Sequence, residues 1–367
     1  MTVRIISTGA YLPGEPLANT DVERLCGPLP AGVLEGIQVQ RRHWVIDPAT
    51  GEHRVSNSEM AAAAARQALQ RAGLDPGEVD LLVLSTASPE YHLPATVTFV
   101  QQRLGLARCA VTEVRSGCAG AVQALDVAWR LLAGGGYQTA VVIGSEVISP
   151  LLAPYFLGRD PESVRLRDRI SLYNFGDAAG AMVLRADAAA GSFLGSANAC
   201  LGGDRRPGMH IIGGGTDAPV AEQLRRRRLV ELRLDVVESE RFGPRVFVAA
   251  LDDLLARSGL TLGEVDACVL PEGNAPYFTS ELESAGMSAE SWKSIQEKIV
   301  ENLADVGATG SAAVPVALDD AWTSGRIRPG DRLMLLGIET SRWLYAGLAL
   351  TWTAGAHGKT DTPREKR

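Results

Sequence analysis

The sequence has no paired cysteines. Its five, Cys26, Cys109, Cys118, Cys200 and Cys268, are an odd and widely spaced set with no Cys-x-x-Cys pair, which excludes a disulfide framework and a zinc site and points to a reducing, cytoplasmic setting. Excess positive charge is missing as well: the formal net charge of -7 argues against general nucleic-acid binding. The basic run Arg225–Arg228 stands against that background and reads as a solvated helix face or as a dock for an acidic partner. No apolar run approaches the length of a membrane helix, and Met1-Thr-Val-Arg-Ile-Ile reads directly as a strand, so neither a membrane span nor a signal peptide is expected. What remains, 46% hydrophobic and 22% charged residues over 367 positions, is an ordinary globular composition with length enough for a sizeable core. The stretch Gly355 to Arg367 is polar and expected to be disordered.

The most informative segment is Gly117-Cys118-Ala119. It follows a β-like run, Cys109 to Val114, and precedes an apolar-periodic helix, Ala121 to Leu132. That places the sulfur at a strand-to-helix elbow, where a helix N-terminus is expected to favour the thiolate and small neighbours leave room for a thioester carbonyl.

The chain also repeats itself. Gly73-Leu-Asp-Pro-Gly-Glu-Val-Asp-Leu-Leu-Val-Leu84 is echoed by Gly259-Leu-Thr-Leu-Gly-Glu-Val-Asp-Ala-Cys-Val-Leu270, and Ala121 to Trp129 by Val314 to Trp322. The strands that follow, Thr139 to Glu146 and Arg332 to Glu339, match in turn. The order and spacing of these echoes predict two similar α/β halves, residues 1–186 and 187–354, with buried strands between helix layers.

With the cysteine elbow, this organisation resembles the thiolase fold and, within it, the β-ketoacyl-ACP synthase III family. The likeness is carried by Ile5-Ile-Ser-Thr-Gly-Ala-Tyr-Leu-Pro13, by Gly36-Ile37 followed by Arg41-Arg42, by Phe175-Gly-Asp-Ala-Ala-Gly-Ala-Met-Val-Leu184 and by Ser324-Gly-Arg-Ile-Arg-Pro-Gly330. It implies two βαβαβαββ halves in an α/β/α/β/α stack, a covalent acyl-cysteine at Cys118, a homodimer, an acyl carrier protein or acyl-CoA donor, and no metal or tightly bound cofactor.

The family pattern breaks at the positions that do its chemistry. Condensing members use a histidine and an asparagine to hold a malonyl thioester oxygen during decarboxylation. The histidine position falls on Glu272 and the asparagine position on Ala308. An ionised Glu272 would repel a developing enolate but is suited to accept a proton from an alcohol or amine. Asn274 is a candidate neutral donor beside it. His210, in a Gly-rich loop opening the second half, is the candidate substitute base. The loop Glu90-Tyr-His-Leu-Pro94 resembles one that crosses the dimer, placing Leu93 as an acyl-pocket residue and His92 or Glu90 toward the other subunit's cysteine. The family's Gly-Gly-Gly-Phe loop falls on Thr340-Ser-Arg-Trp343, so the oxyanion hole is assigned to the backbone N–H groups of Cys118 and Arg342, with Trp343 reshaping the substrate pocket. Pro30 replaces the tryptophan that stacks on coenzyme A, which favours a carrier protein. The acidic carrier is expected to dock on Arg41, Arg42 or Arg225–Arg228.

Three readings follow. Losing the decarboxylation pair favours an acyltransferase that passes an acyl group from Cys118 to a hydroxyl or amine of a small molecule in specialised metabolism. The others are a decarboxylating starter-unit ketosynthase, with His210 substituting, and a non-catalytic partner subunit, against which the intact cysteine motif argues.

Overall fold

The computed structural model describes residues 2–152, 156–187, 192–225, 230–275 and 281–355; the expected disordered tail beyond Gly355 and Arg226–Arg228 lie outside them. Ten strands form two five-stranded mixed sheets. The first contains β1 (Thr2–Tyr11), β2 (Leu81–Ser85), β3 (Ala110–Val114), β4 (Thr139–Glu146) and β5 (Ala178–Asp187), in the order β1-β5-β4-β2-β3. The second contains β6 (Phe193–Cys200), β7 (Ala267–Val269), β8 (Ile299–Val300), β9 (Arg332–Glu339) and β10 (Leu344–Thr351), in the order β6-β10-β9-β7-β8. The two sheets have one topology: β1, β5 and β4, like β6, β10 and β9, pair antiparallel, and β4, β2 and β3, like β9, β7 and β8, pair parallel.

Four helices build the layers. The α1 helix (Asn57–Ala72) covers the outer face of the first sheet, and α3 (Val236–Ser258) covers that of the second. Between the sheets lie α2 (Gly120–Ala133) and α4 (Ala313–Thr323), the helices of the second sequence echo, which touch both. The stack is therefore α/β/α/β/α, as the family resemblance implies. Strands β2, β4 and β9 are buried almost end to end, which is why they read as continuous apolar runs.

The middle helices approach the sheets so closely that only glycine fits beneath them. A Cβ on Gly144 of β4 would meet the Ser311 carbonyl oxygen at 2.0 Å, and one on Gly337 of β9 would meet the Cys118 carbonyl oxygen at 2.6 Å. Both pairs join the centre of a sheet to the turn that starts a middle helix. That contact fixes where Cys118 sits.

Candidate active site

Cys118 lies on a single 3-10 turn, Gly117–Ala119, running without a break into α2. Gly117 has φ +48°, and a Cβ there would collide with the Glu339 carboxylate at 1.9 Å, so glycine is required on both grounds. Glu339 ends β9, is 1% exposed, and turns its carboxylate onto the elbow. The Cys118 backbone N–H donates to its Oε2 at 2.6 Å, and the Ser341 backbone N–H donates to its Oε1 at 2.7 Å. The two N–H groups thus converge on one carboxylate. The donor from the turn after β9 is Ser341, one residue before the Arg342 named from the sequence.

A cavity of about 20 Å³ opens beside the sulfur, bounded among others by Cys118, Leu270, Pro271, Glu272, Val314 and Leu336. This is room for about one water molecule. Glu272 follows β7 at the bottom of the second sheet's parallel half, and the cavity brings it together with Cys118. Burial, reinforced by the nearby Glu339 charge, pushes the Glu272 carboxyl up to about 7. Glu339 is also raised by burial, although the N–H groups of Ser341 and Cys118 work the other way.

The Cys118 thiol is held well above its ordinary range, first by burial and then by Glu339, Glu272 and Glu146. This reverses the thiolate expectation. A helix N-terminus offers about half a positive charge; three carboxylates at a desolvated site outweigh it.

The third carboxylate reveals the internal symmetry of the site. Glu146 ends β4 as Glu339 ends β9, and its Oε2 accepts the Ser311 N–H at 3.1 Å on the turn Gly310–Ala312 that starts α4. Cys118 and Ser311 are 193 residues apart (311 − 118), as are Glu146 and Glu339 (339 − 146). Ser311 Oγ donates to the Gly117 carbonyl at 2.9 Å, so the two corners face each other across the middle layer. Sequence reasoning missed Glu339, Ser341, Glu146 and Ser311, although the repeat had already paired the strands that end in the two glutamates.

Other expected residues lie elsewhere. Asn274 is outside the cavity lining: its backbone N–H donates to Glu301 and its Oδ1 accepts from Gln296. His210 is exposed on the two-stranded ribbon Met209–Ile212 with Glu231–Leu234, opposite Arg233, and burial and that arginine lower its pKa. Trp343 is fully buried, donates its indole N–H to the Arg206 carbonyl at 3.0 Å and packs edge-on to Phe242, so it is a core residue and not a pocket wall. The Arg342 side chain bonds the carbonyls of Arg205 and Gly203. Leu93 is 86% exposed and His92 lies against Gly214, both outside this cavity. Arg42 is buried, donating to Leu17, Asn19 and Tyr173, so it is closed to a carrier, whereas Arg41 is on the surface beside Asp305. Ala308, at the asparagine position, is buried with its backbone bonded to Asn174 and Gly176.

Among the described residues no helix is long and apolar enough to cross a membrane, and no group of three His, Cys, Asp or Glu side chains is placed to hold a metal.

Comparison with known proteins gives a consistent result. Residues 112–202 match the 3-oxoacyl-[acyl-carrier-protein] synthase III family, and residues 255–352 match its C-terminal counterpart. The chain is 30% identical to the beta-ketoacyl-[acyl-carrier-protein] synthase III of Symbiobacterium thermophilum over 352 residues, 95% of this chain and 98% of that one. It is likewise 30% identical to the protein of that name from Desulfitobacterium hafniense, over 96% and 97% of the two chains. Among solved structures, the tetronic acid condensing enzyme AbyA1 superposes with a TM-score of 0.78 at 29% identity, over 95% of this chain and all of that one. The 3-oxoacyl-[acyl-carrier-protein] synthase III of Aquifex aeolicus shares the fold, with a TM-score of 0.76 at 23% identity over 95% and 100%.

Proposed function

The chain belongs to the 3-oxoacyl-[acyl-carrier-protein] synthase III family and has its thiolase fold, and from that premise we propose that it is an acyltransferase. It takes an acyl group from a carrier-protein or CoA thioester onto Cys118 and passes it to a hydroxyl or amine of a small molecule. The observation that carries this reading is the pairing of Cys118 with Glu272 in one small cavity whose lining contains no histidine or asparagine. A carboxyl that ionises at about 7 is matched to general-base work at neutral pH. In its charged form it removes the proton of an acceptor as the acceptor attacks the acyl-cysteine. In that form it also opposes the enolate that decarboxylation would generate beside it.

The similarity to a tetronic acid condensing enzyme supports the same direction. A tetronic acid is a five-membered lactone, so its assembly includes an ester bond between an acyl carbon and a hydroxyl oxygen. Carbon–carbon condensation is the second reading, favoured by the names of the relatives. With Ala308 at the asparagine position and Glu272 at the histidine position, that condensation would proceed by removal of an acidic α-proton and not by loss of CO2.

The test is Glu272→Gln. The variant is expected to load acyl groups on Cys118 at close to the wild-type rate and to release them to acceptor roughly 10²–10⁴-fold more slowly, so that acyl-enzyme accumulates in intact-mass spectra. Release of CO2 from a malonyl carrier in step with product, or transfer by the variant at the wild-type rate, would overturn the reading.

A further inference from the structure

Where the family pattern places a histidine near the nucleophile, Cys118 has carboxylates. The charged groups facing it are Glu339 from the end of β9, Glu272 after β7 and Glu146 from the end of β4. Of these, Glu339 is in direct contact. Its Oε2 accepts the Cys118 backbone N–H and its Oε1 the Ser341 N–H, which sets the carboxylate on the residue that carries the thiol. The carboxylate therefore engages, one on each of its oxygens, both N–H donors that a thioester carbonyl over Cys118 would use. As long as it carries its charge there, no tetrahedral oxyanion can form over Cys118.

We propose that Glu339 is the base that takes the Cys118 thiol proton, and that its own protonation frees the Cys118 and Ser341 N–H groups for the thioester carbonyl. The inference rests on the reading of Cys118 as the acyl-carrying nucleophile and adds the step that reading leaves open. The Sγ–H bond breaks and an O–H bond forms on Glu339, giving thiolate and neutral acid with no change in net charge. A neutral acid loses the charge-assisted strength of its two N–H bonds. The donors turn to the incoming carbonyl oxygen, and the thiolate attacks the carbonyl carbon. When the carbon–sulfur bond to the carrier breaks, Glu339 returns its proton to the leaving sulfur, which departs as a thiol. Ionising the nucleophile and opening the oxyanion hole are thus one event.

The geometry explains why the pair ionises as a unit. The bond from the Cys118 backbone N–H holds the Glu339 carboxylate at the residue whose thiol its charge raises, and two buried acids on one corner titrate as a coupled pair. Across the pH range in which the pair holds one proton, the fraction present as thiolate with neutral acid does not depend on pH.

The experiment follows the rate of Cys118 alkylation by iodoacetamide from pH 5 to 10, read by peptide mass spectrometry, in the wild type, Glu339→Gln and Glu339→Ala. The wild type is expected to show a plateau at mid pH followed by a rise. Both variants are expected to lose the plateau and to rise about tenfold per pH unit, as an isolated thiol does. Loading of Cys118 from an acetyl thioester at pH 7 should fall roughly 10²–10⁴-fold in both variants. Glutamine preserves the shape of the corner and alanine removes the obstruction, so a folding defect in one does not mimic the result. A wild-type profile without a plateau, a plateau that survives in either variant, or faster loading in Glu339→Ala would overturn the proposal; the last would make Glu339 an obstruction and nothing more. The alkylation readout uses no acyl donor. If wild-type Cys118 accepts no acyl group from any carrier, the proposed function fails, while the proton-sharing pair stands or falls on the plateau.

Discussion

Replacing Glu272 with glutamine should make the protein more stable in alkaline solution, and the size of the effect can be worked out from the site. In the unfolded chain the carboxyl ionises near 4.5, and in the folded protein near 7. Below 4.5 both states hold the proton, and the group adds nothing to the pH dependence of folding. Between 4.5 and 7 the folded protein keeps a proton that the unfolded chain has released, so stability falls as pH rises. Above 7 both states have released the proton, and the penalty stays constant. The gap of about 2.5 pH units corresponds to about 3 kcal/mol, and the residue's partial contact with solvent brings this to about 2–3 kcal/mol. Urea denaturation of wild type and Glu272→Gln at pH 5 and pH 8.5 measures it. The stability advantage of the variant should be under about 1 kcal/mol at pH 5 and widen to about 2–3 kcal/mol at pH 8.5. Any constant effect of the amide on packing cancels between the two pH values. An advantage that does not widen with pH would refute the argument, because it would place the carboxylate in water and remove the basis for its action as a base.

Two further outcomes check the surroundings of the site. His210→Ala should leave acyl loading and transfer within about twofold of wild type in steady-state assays, since the exposed ribbon holds that side chain away from the cavity lining. Light scattering at micromolar concentration should show a homodimer, with the Tyr91 and Leu93 side chains, 58% and 86% exposed in the single chain, covered by the second copy; a stable monomer would remove any role for Leu93 across an interface.

The sequence was most legible where structure and repetition coincide. Buried parallel strands must be apolar along their whole length, so Leu81–Ser85 and Ala267–Val269 announced themselves twice in the same setting. The elbow at Cys118 was legible because a positive φ and a collision with Glu339 leave no residue but glycine at 117. Glu272 was found because an expected histidine was missing from its place. Glu339 was not, because a single acidic residue at the end of an apolar strand carries no local signal; its meaning comes from Cys118, 221 residues away in the chain. Its fellow Glu146, at the matching offset, was the available clue. Trp343 was misread for a related reason: its bulk follows a turn that in the family belongs to the pocket, and only the packing against Phe242 shows that it faces inward. The thiolate expectation failed because one helix end was weighed without the carboxylates that converge on it from three strand ends.

The corner built by Glu146 and Ser311 gives the molecule its own control experiment. There the same fold places the same carboxylate over the same turn, with a hydroxyl where the other half has a thiol. At that corner one carboxylate oxygen finishes the hydrogen bonding of a helix start whose N–H groups have no partner within the helix, and the other ties down Ala87 and Ser88 after β2. The clamp at Cys118 can therefore be understood as ordinary structural carpentry that the duplication supplied ready-made. What separates the two matched corners is sulfur in place of oxygen, with Glu272 set beside the sulfur.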